Sequence, residues 1–329
     1  MKVLVVGYGS IGKRHIQNLS KLKNIEIIVC TKRKHDKFLK QKKCKIYTSL
    51  TDCVKENPSF AIITNETRFH VKSALFLAKF NIHMLIEKPI SYSLTRINEL
   101  LTIVKKKKLI VLVGCNLRFH PSLELMRNMI LKGDLGRVIS VQVENGSFLP
   151  DWHSNENYQN SYASRNDLGG GVVLTCIHEI DYLYWFFGNI HEVLSITGKF
   201  SDLKIKSEDL SAMILKFKNN IICETHLDYF QQPSTRNCKI IGTKGTLTWN
   251  IESNIVKFYN VKNKKWVEKL KLQNYDFNET YTRELSHMID CIEGKTTPIN
   301  DLTDGIYTLK VALAVKKSSK LKKTLLINK

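Results

Sequence analysis

Gly7-Tyr8-Gly9-Ser10-Ile11-Gly12 spaces three glycines as G-x-G-x-x-G, directly after the apolar run Lys2 to Val6 and at the opening of an amphipathic stretch ending near Leu22. Glycines so placed turn the chain, let the backbone approach a pyrophosphate and pack strand against helix, with the positive helix end toward the phosphates. A glycine turn without a ligand is the alternative, and the strand–helix alternation that follows weighs against it. Where an NAD-specific fold places an acid for the adenine ribose, this chain has Cys30-Thr31-Lys32-Arg33-Lys34. A hydroxyl and cations at Thr31, Lys32 and Arg33 suit a 2′-phosphate, so NADP(H) is favoured, with NAD(H) possible. Glu87-Lys88-Pro89 follows an apolar run ending at Ile86. A lysine there can donate a proton or polarise a carbonyl oxygen. Further on, Gly169-Gly170-Gly171 precedes a helix on which Thr175, His178 and Asp181 recur every third residue and share one face. A lone helical histidine is commonly structural; three polar groups on an otherwise apolar or aromatic helix point to a site.

The elements that must position these residues follow from the apolar pattern. Lys2 to Val6, Ile25 to Cys30, Phe60 to Thr64, Ile82 to Ile86 and Leu109 to Gly114 read as buried strands separated by helical stretches, which predicts parallel βαβ units. A Rossmann domain is therefore expected over 1–117. Over 118–329 the pattern changes to a helix at Ser122 to Leu131, a strand at Val138 to Val143, an irregular stretch through Asn166 and a helix from about Val172 to Phe187. Strand-like runs at 193–200, 211–217, 221–229, 238–242, 246–250 and 255–259 follow, then helices near Tyr281 to Ile292 and Asp304 to Ser318. The predicted fold class is α/β: a doubly wound parallel sheet plus an α+β domain with a large open, mostly antiparallel sheet.

Composition narrows the function classes. The 329 residues are 43% hydrophobic and 25% charged, as in a packed protein, and their number suffices for two domains or one large one. Eight cysteines, Cys30, Cys44, Cys53, Cys115, Cys176, Cys223, Cys238 and Cys291, never form a C-x-x-C pair, which argues against a zinc site or a disulfide framework. No run approaches the ~18 apolar residues of a membrane span, and the N-terminus lacks a signal-peptide pattern. A reducing, cytoplasmic setting is expected, with no metal and no membrane. The formal charge is +21, with lysine runs at Lys105–Lys108 and Lys316 to Lys323. No helix-turn-helix, zinc finger or RNP-type strand accompanies it, so the charge reads as a solvated surface or as suited to anionic small molecules, not nucleic acid.

Together the glycine loop, Glu87-Lys88-Pro89, Gly114-Cys115-Asn116-Leu117-Arg118-Phe119-His120-Pro121 and the segment from Gly169 to His178 resemble the glucose–fructose oxidoreductase, inositol dehydrogenase and rhizopine catabolism family across essentially the whole chain. The resemblance implies oxidation or reduction of a sugar-like hydroxyl or carbonyl with a pyridine nucleotide, and dimer or tetramer contacts through the open sheet. It makes Lys88 the catalytic lysine and His178 the acid/base histidine. Gly7 to Gly12, with Tyr8, Ser10 and Ile11, would carry the pyrophosphate; Thr64, Asn65, His70 and Glu87 would line the cofactor, and Asn116 would lie near the nicotinamide edge. Many members carry an aspartate three or four residues before this histidine, where this chain has Leu174 and Thr175, so Thr175 or Asp181 is the candidate substitute. Leu149-Pro150-Asp151-Trp152-His153, with Tyr158, Tyr162 and Arg165, looks like a branch associated with surface-polysaccharide and amino-sugar biosynthesis. Lys88, Arg118, Trp152, Tyr162, Arg165, His178 and Asp181 are then the expected substrate contacts. A catalytically silent sensor or corepressor of the same fold is the alternative; the missing aspartate supports it, and Lys88 with His178 counts against it.

Overall fold

Strands that are apolar on both faces need cover on both faces, and the first unit of the chain supplies it with helices. In the computed structural model, which describes residues 1–33, 36–152 and 157–327, this unit comprises Met1–Asn116 and Asn278–Ile306. Its elements begin β1 (Lys2–Val6), α1 (Ser10–Leu19), β2 (Glu26–Cys30), α2 (Lys37–Gln41), β3 (Lys45–Tyr47), α3 (Leu50–Lys55), β4 (Phe60–Ile63), α4 (His70–Lys79), β5 (His83–Glu87), α5 (Ile97–Lys106) and β6 (Val111–Gly114). The strands are all parallel in the order β3-β2-β1-β4-β5-β6. Val5 pairs with Val29 on one side and Ile62 on the other, and all three are fully buried. From β1 the chain steps outward through β2 to β3 and then crosses back to β4 on the other side of β1, so the carboxyl ends of β1 and β4 flank the crevice in which open α/β sheets hold ligands.

The second unit comprises Leu117–Phe277 and the residues from Tyr307 onward. Along the rest of the chain run α6 (Pro121–Leu131), β7 (Val138–Gly146), α7 (Val172–Thr175), α8 (His178–Phe187), β8 (Ile190–Gly198), β9 (Leu210–Phe217), β10 (Ile222–Asp228), β11 (Thr235–Gly242), β12 (Gly245–Asn250), β13 (Ile255–Asn260), β14 (Lys265–Lys271), α9 (Asn278–Ile292), α10 (Leu302–Leu321) and β15 (Leu325–Leu326). Nine strands form one sheet, β14-β13-β12-β11-β7-β10-β9-β8-β15. All neighbours are antiparallel except β7 and β10. Alternation gives it two faces: Val141, Val143, Leu215, Cys223, Cys238 and Leu247 are buried on one, while Leu194, Ile196 and Ile214 are exposed on the other.

Three expectations change. The predicted ranges 1–117 and 118–329 do not describe the contiguity of the units, because 278–306 packs with the first. There Val113 N–H donates to Asn300 O (3.0 Å), the Asn300 amide donates to Val113 O, and Leu112 bridges Asp301, covering the β6 edge. The single helix expected over Val172 to Phe187 is two, because Cys176 leaves the helical region at ψ 32. The edge strand β14 was not anticipated; its side chains are almost all exposed and carry no alternation to read. Lys34 and His153 lie outside the described residues.

Candidate active site

At the end of β1, Gly7 has φ +104, and a Cβ there would lie 2.6 Å from Asn65 N. Only glycine permits both the conformation and that approach. A Cβ on Gly12 would meet Gly7 O at 2.6 Å and Thr64 Oγ1 at 2.9 Å. Thr64, just past β4, donates its hydroxyl toward Val6 O and Gly7 O, 3.1 Å from each. Gly9 is the opposite case, with nothing within 4 Å of a built Cβ. It caps α1 without a side-chain hydrogen bond, and the first turn, opened by Ser10 and Ile11, has no acid. A cleared space before an uncapped helix N-terminus, between two strand ends, fits the pyrophosphate of a dinucleotide.

Beside this loop, the Tyr8 hydroxyl donates to Asp36 Oδ1 (2.8 Å), which also accepts from Phe38 N–H and Leu39 N–H as the N-cap of α2. Burial and the bond to Asp36 push the Tyr8 phenol up, and the same bond holds the Asp36 carboxyl down. Lys13 Nζ and the Arg33 guanidinium lie 5.2 and 5.9 Å from the Tyr8 ring centre. Lys32 and Arg33 are exposed, and Thr31 Oγ1 accepts from Arg33 N–H at 3.2 Å. Sequence reasoning missed Asp36, which lies beyond the position where a ribose-binding acid is sought. Its readable signal was an Asp opening a short helix.

The tripeptide that begins on the last residue of β5 is held by the protein's own groups. Glu87, 6% exposed, sets Oε1 2.8 Å from Nε2 of His15, which is fully buried on α1. Its Oε2 accepts from Lys88 N–H at 3.3 Å. A Cβ on Gly114 would lie 3.0 Å from that carboxylate, so glycine there leaves it room. Pro89 O lies 2.9 Å from His70 Nδ1, and His70 Nε2 lies 2.8 Å from Asn65 O. The Asn65 amide donates to Ser73 Oγ. Glu87 and His70, expected to line the cofactor, thus spend these atoms on the chain itself; so does buried Asn116, whose amide donates to Thr280 Oγ1 at 2.7 Å. His15 was not anticipated, although it falls on the apolar face of α1 with Ile16 and Leu19.

In the second unit His178 is buried at the first position of α8. Thr175 ends α7, so the interrupted helix does not place it on one continuous face with His178 and Asp181. Its hydroxyl acts on Tyr229, whose phenol burial pushes well up. Trp152 packs edge-on to Tyr229 at 5.3 Å and donates Nε1–H to Ser147 Oγ. Tyr162 is half-buried, and its carbonyl lies where a Cβ on Gly170 would come within 2.0 Å. Two expected substrate contacts hold each other instead: Arg118 donates Nε–H and an Nη–H to both oxygens of Asp181 at 2.9 and 2.8 Å, with each side chain about 1–2% exposed. Arg165 is exposed and pairs with Asp167 at 2.6 Å. Sequence reasoning also missed the ion pair of Arg236 with fully buried Glu179 on α8 (2.8 Å) and that of Lys316 with Glu208 (2.9 Å), whose carboxylate fills the space beside Gly171.

Removing one member of a desolvated pair strands the other charge. Asp181→Asn is expected to lower unfolding free energy by about 3–5 kcal/mol in urea denaturation, and Arg118→Met with Asp181→Leu to recover most of it. A loss below 1 kcal/mol for Asp181→Asn, on the scale of an exposed pair, would contradict the burial of this one.

Residues 1–115 match the NAD-binding Rossmann fold of an oxidoreductase family, and residues 127–326 match the C-terminal alpha/beta domain of the same family. The chain is 24% identical to 1,5-anhydro-D-fructose reductase of Ensifer adhaerens over 286 residues, 84% of this chain and 82% of that protein. It is 21% identical to myo-inositol 2-dehydrogenase of Thermotoga maritima over 338 residues, 98% of each. The fold also superposes on WlbA dehydrogenase of Bordetella pertussis, solved with NADH and UDP-GlcNAcA, with a TM-score of 0.84 at 19% identity, covering 100% of this chain and 98% of that one. The chain belongs to the glucose–fructose oxidoreductase, inositol dehydrogenase and rhizopine catabolism family of oxidoreductases, through both its Rossmann and its C-terminal domain.

Proposed function

We propose that the protein is a cytosolic, NADP(H)-preferring oxidoreductase of a sugar or sugar nucleotide in glycan or amino-sugar biosynthesis, with Lys88 and His178 handling the proton of the reacting hydroxyl. The observation that carries this reading is the clearing at Gly9 before the uncapped α1, on the same carboxyl edge of the sheet that Lys88 leaves. Gly7 to Gly12 would hold the dinucleotide pyrophosphate, and Thr64 keeps that loop against β4. The bound dinucleotide supplies a hydride donor or acceptor at its nicotinamide ring. The Lys88 ammonium stabilises developing charge on the substrate oxygen, or delivers its proton as a carbonyl is reduced. The His178 imidazole can accept a proton at one ring nitrogen and return it. The Thr175 hydroxyl does not ionise in this range, so it orients or relays. Trp152 and Tyr162 offer aromatic faces to a pyranose or nucleobase. The bound UDP-GlcNAcA of WlbA dehydrogenase supports the sugar-nucleotide class.

The open sheet face is proposed as the surface through which copies pair. A groove of about 560 Å³ there is lined by Leu194, Ile196 and Ile214 on one side and Gln142, Glu224 and His226 on the other, and Ile196 is 66% exposed. In sedimentation, the wild type is expected as a dimer or larger species and Ile196→Asp as a smaller one. A monomeric wild type would remove this part of the reading.

Cofactor preference rests on Thr31, Lys32 and Arg33. Quenching of tryptophan fluorescence should show NADPH binding more tightly than NADH, with the double variant Lys32→Ala, Arg33→Ala narrowing the gap by roughly 1–3 kcal/mol. Equal affinities in the wild type would end the preference, and Asp36 would then be the group to examine.

Turnover is measured against panels of UDP-sugars and free sugars at the reduced-nicotinamide absorbance. Lys88→Met should lower turnover by about 10²-fold or more while dinucleotide binding persists. His178→Asn should cost about 10²- to 10⁴-fold and remove the neutral limb of the pH–rate profile, with Thr175→Ala costing clearly less. Binding without turnover on any sugar would favour the silent sensor.

A further inference from the structure

Two buried histidines stand on either side of the proposed catalytic lysine, and the proton-handling roles leave both unassigned. Glu87, immediately before Lys88, meets His15 Nε2 at 2.8 Å through Oε1 while Oε2 accepts from Lys88 N–H. Pro89, immediately after it, turns its carbonyl to His70 Nδ1 at 2.9 Å. His15 belongs to α1, the helix that opens with the glycine loop. His70 opens α4 and reaches with Nε2 to Asn65 O, 2.8 Å away, in the residue against which Gly7 packs. We propose that His15 and His70 are positioning residues for Lys88, gripping the residues before and after it, and that His70 does so as an imidazolium. The inference rests on the assignment of Lys88 to the proton.

The charge of His70 follows from its partners. Both of its ring nitrogens face main-chain carbonyl oxygens, which only accept, and a neutral imidazole has a single N–H. In either neutral tautomer one of these contacts sets a nitrogen lone pair against an oxygen lone pair. Only the imidazolium donates at both ends. Burial is the largest single influence and draws the imidazole below its ordinary range; the Asn65 and Pro89 carbonyls push the other way, as do the carboxylates of Glu87 on β5 and of Glu66 in the turn after β4. The case for the charge is geometric: with carbonyl oxygens 2.9 and 2.8 Å from its two ring nitrogens, the uncharged ring would hold a buried repulsion in place of one charge-assisted hydrogen bond. The turn that presents Lys88 and the turn that would receive the pyrophosphate therefore share anchors, and the lysine is aimed by the backbone before any substrate arrives.

A long-range proton–nitrogen NMR spectrum of the full chain, carrying 15N-histidine near neutral pH, reads the ring directly. Two protonated nitrogens are expected for His70; a neutral tautomer pattern would overturn its charge. Positioning is read from acetylation of the Lys88 amine by acetic anhydride, followed by mass spectrometry against the other lysines. His70→Asn places an amide nitrogen where Nδ1 stands and keeps the Pro89 contact, whereas His70→Gln keeps only the Asn65 contact. His15→Gln can still donate to Glu87, and His15→Ala cannot. Lys88 acetylation should stay near wild type in His70→Asn and His15→Gln but change by roughly fivefold or more in His70→Gln and His15→Ala, about what losing one hydrogen bond amounts to. The same rate in all four variants, or a pattern that follows the site and not the retained donor, would overturn positioning. Neither readout needs cofactor or turnover, so either can fail while Lys88→Met still abolishes activity, and the reverse.

Discussion

The first unit depends on a contact in which one partner has no side chain. Gly7 lets the end of β1 come against the backbone of Asn65 at the end of β4, closer than any Cβ allows, and the Thr64 hydroxyl ties the same two ends together. From this approach follow the direction of α1, the open space at Gly9, and the position from which Asn65 offers its carbonyl to His70. A methyl group at residue 7 would separate strand ends that three further features use. A single missing carbon thus sets how two strand ends and the loop between them meet.

The second unit reaches order around its site by different means. Helix α8 places Glu179 and Asp181 in the interior, and each meets an arginine from elsewhere in the chain, Arg236 and Arg118. Such pairs add little net stability compared with apolar packing, but they tolerate few alternative rotations of the helix that carries them. The Arg118 and Arg127 guanidinium groups both lie over Trp185, adding a planar constraint at the far end of that helix. His178 is therefore carried on a helix whose rotation these buried pairs fix.

Much of this was legible in the residues. The G-x-G-x-x-G spacing, the strand runs and the lysine turn each follow from short-range pattern, and the parallel sheet of six strands and the mixed sheet of nine carry them. What could not be read depends on partners distant in sequence. Nothing near Asp181 announces Arg118, nothing near Glu87 announces His15, and Asp36 looks like a surface residue until Tyr8 is brought to it. Roles assigned by resemblance to His70, Asn116 and Arg118 were assigned to polar side chains; the fold shows those same atoms engaged with carbonyls, a hydroxyl and a carboxylate of the chain. The break at Cys176 was hidden because Val172 to Phe187, apart from Thr175, His178, Glu179 and Asp181, is apolar and aromatic, a pattern that suits one helix or two equally well.

The route of the chain between its two units has a consequence for the order in which the protein can be made. The chain leaves the first unit after Asn116, returns at Asn278 and leaves again after Ile306. Until that return has been synthesised, Val113 lacks the main-chain and side-chain partners it finds in Asn300, and the edge of β6 stands uncovered. An emerging N-terminal stretch therefore exposes an unpaired strand edge throughout translation of the entire intervening sheet, at the stage when such edges recruit other chains. The lysines of the Lys105–Lys108 run, which immediately precede β6, sit where like charge keeps nascent copies apart during that interval.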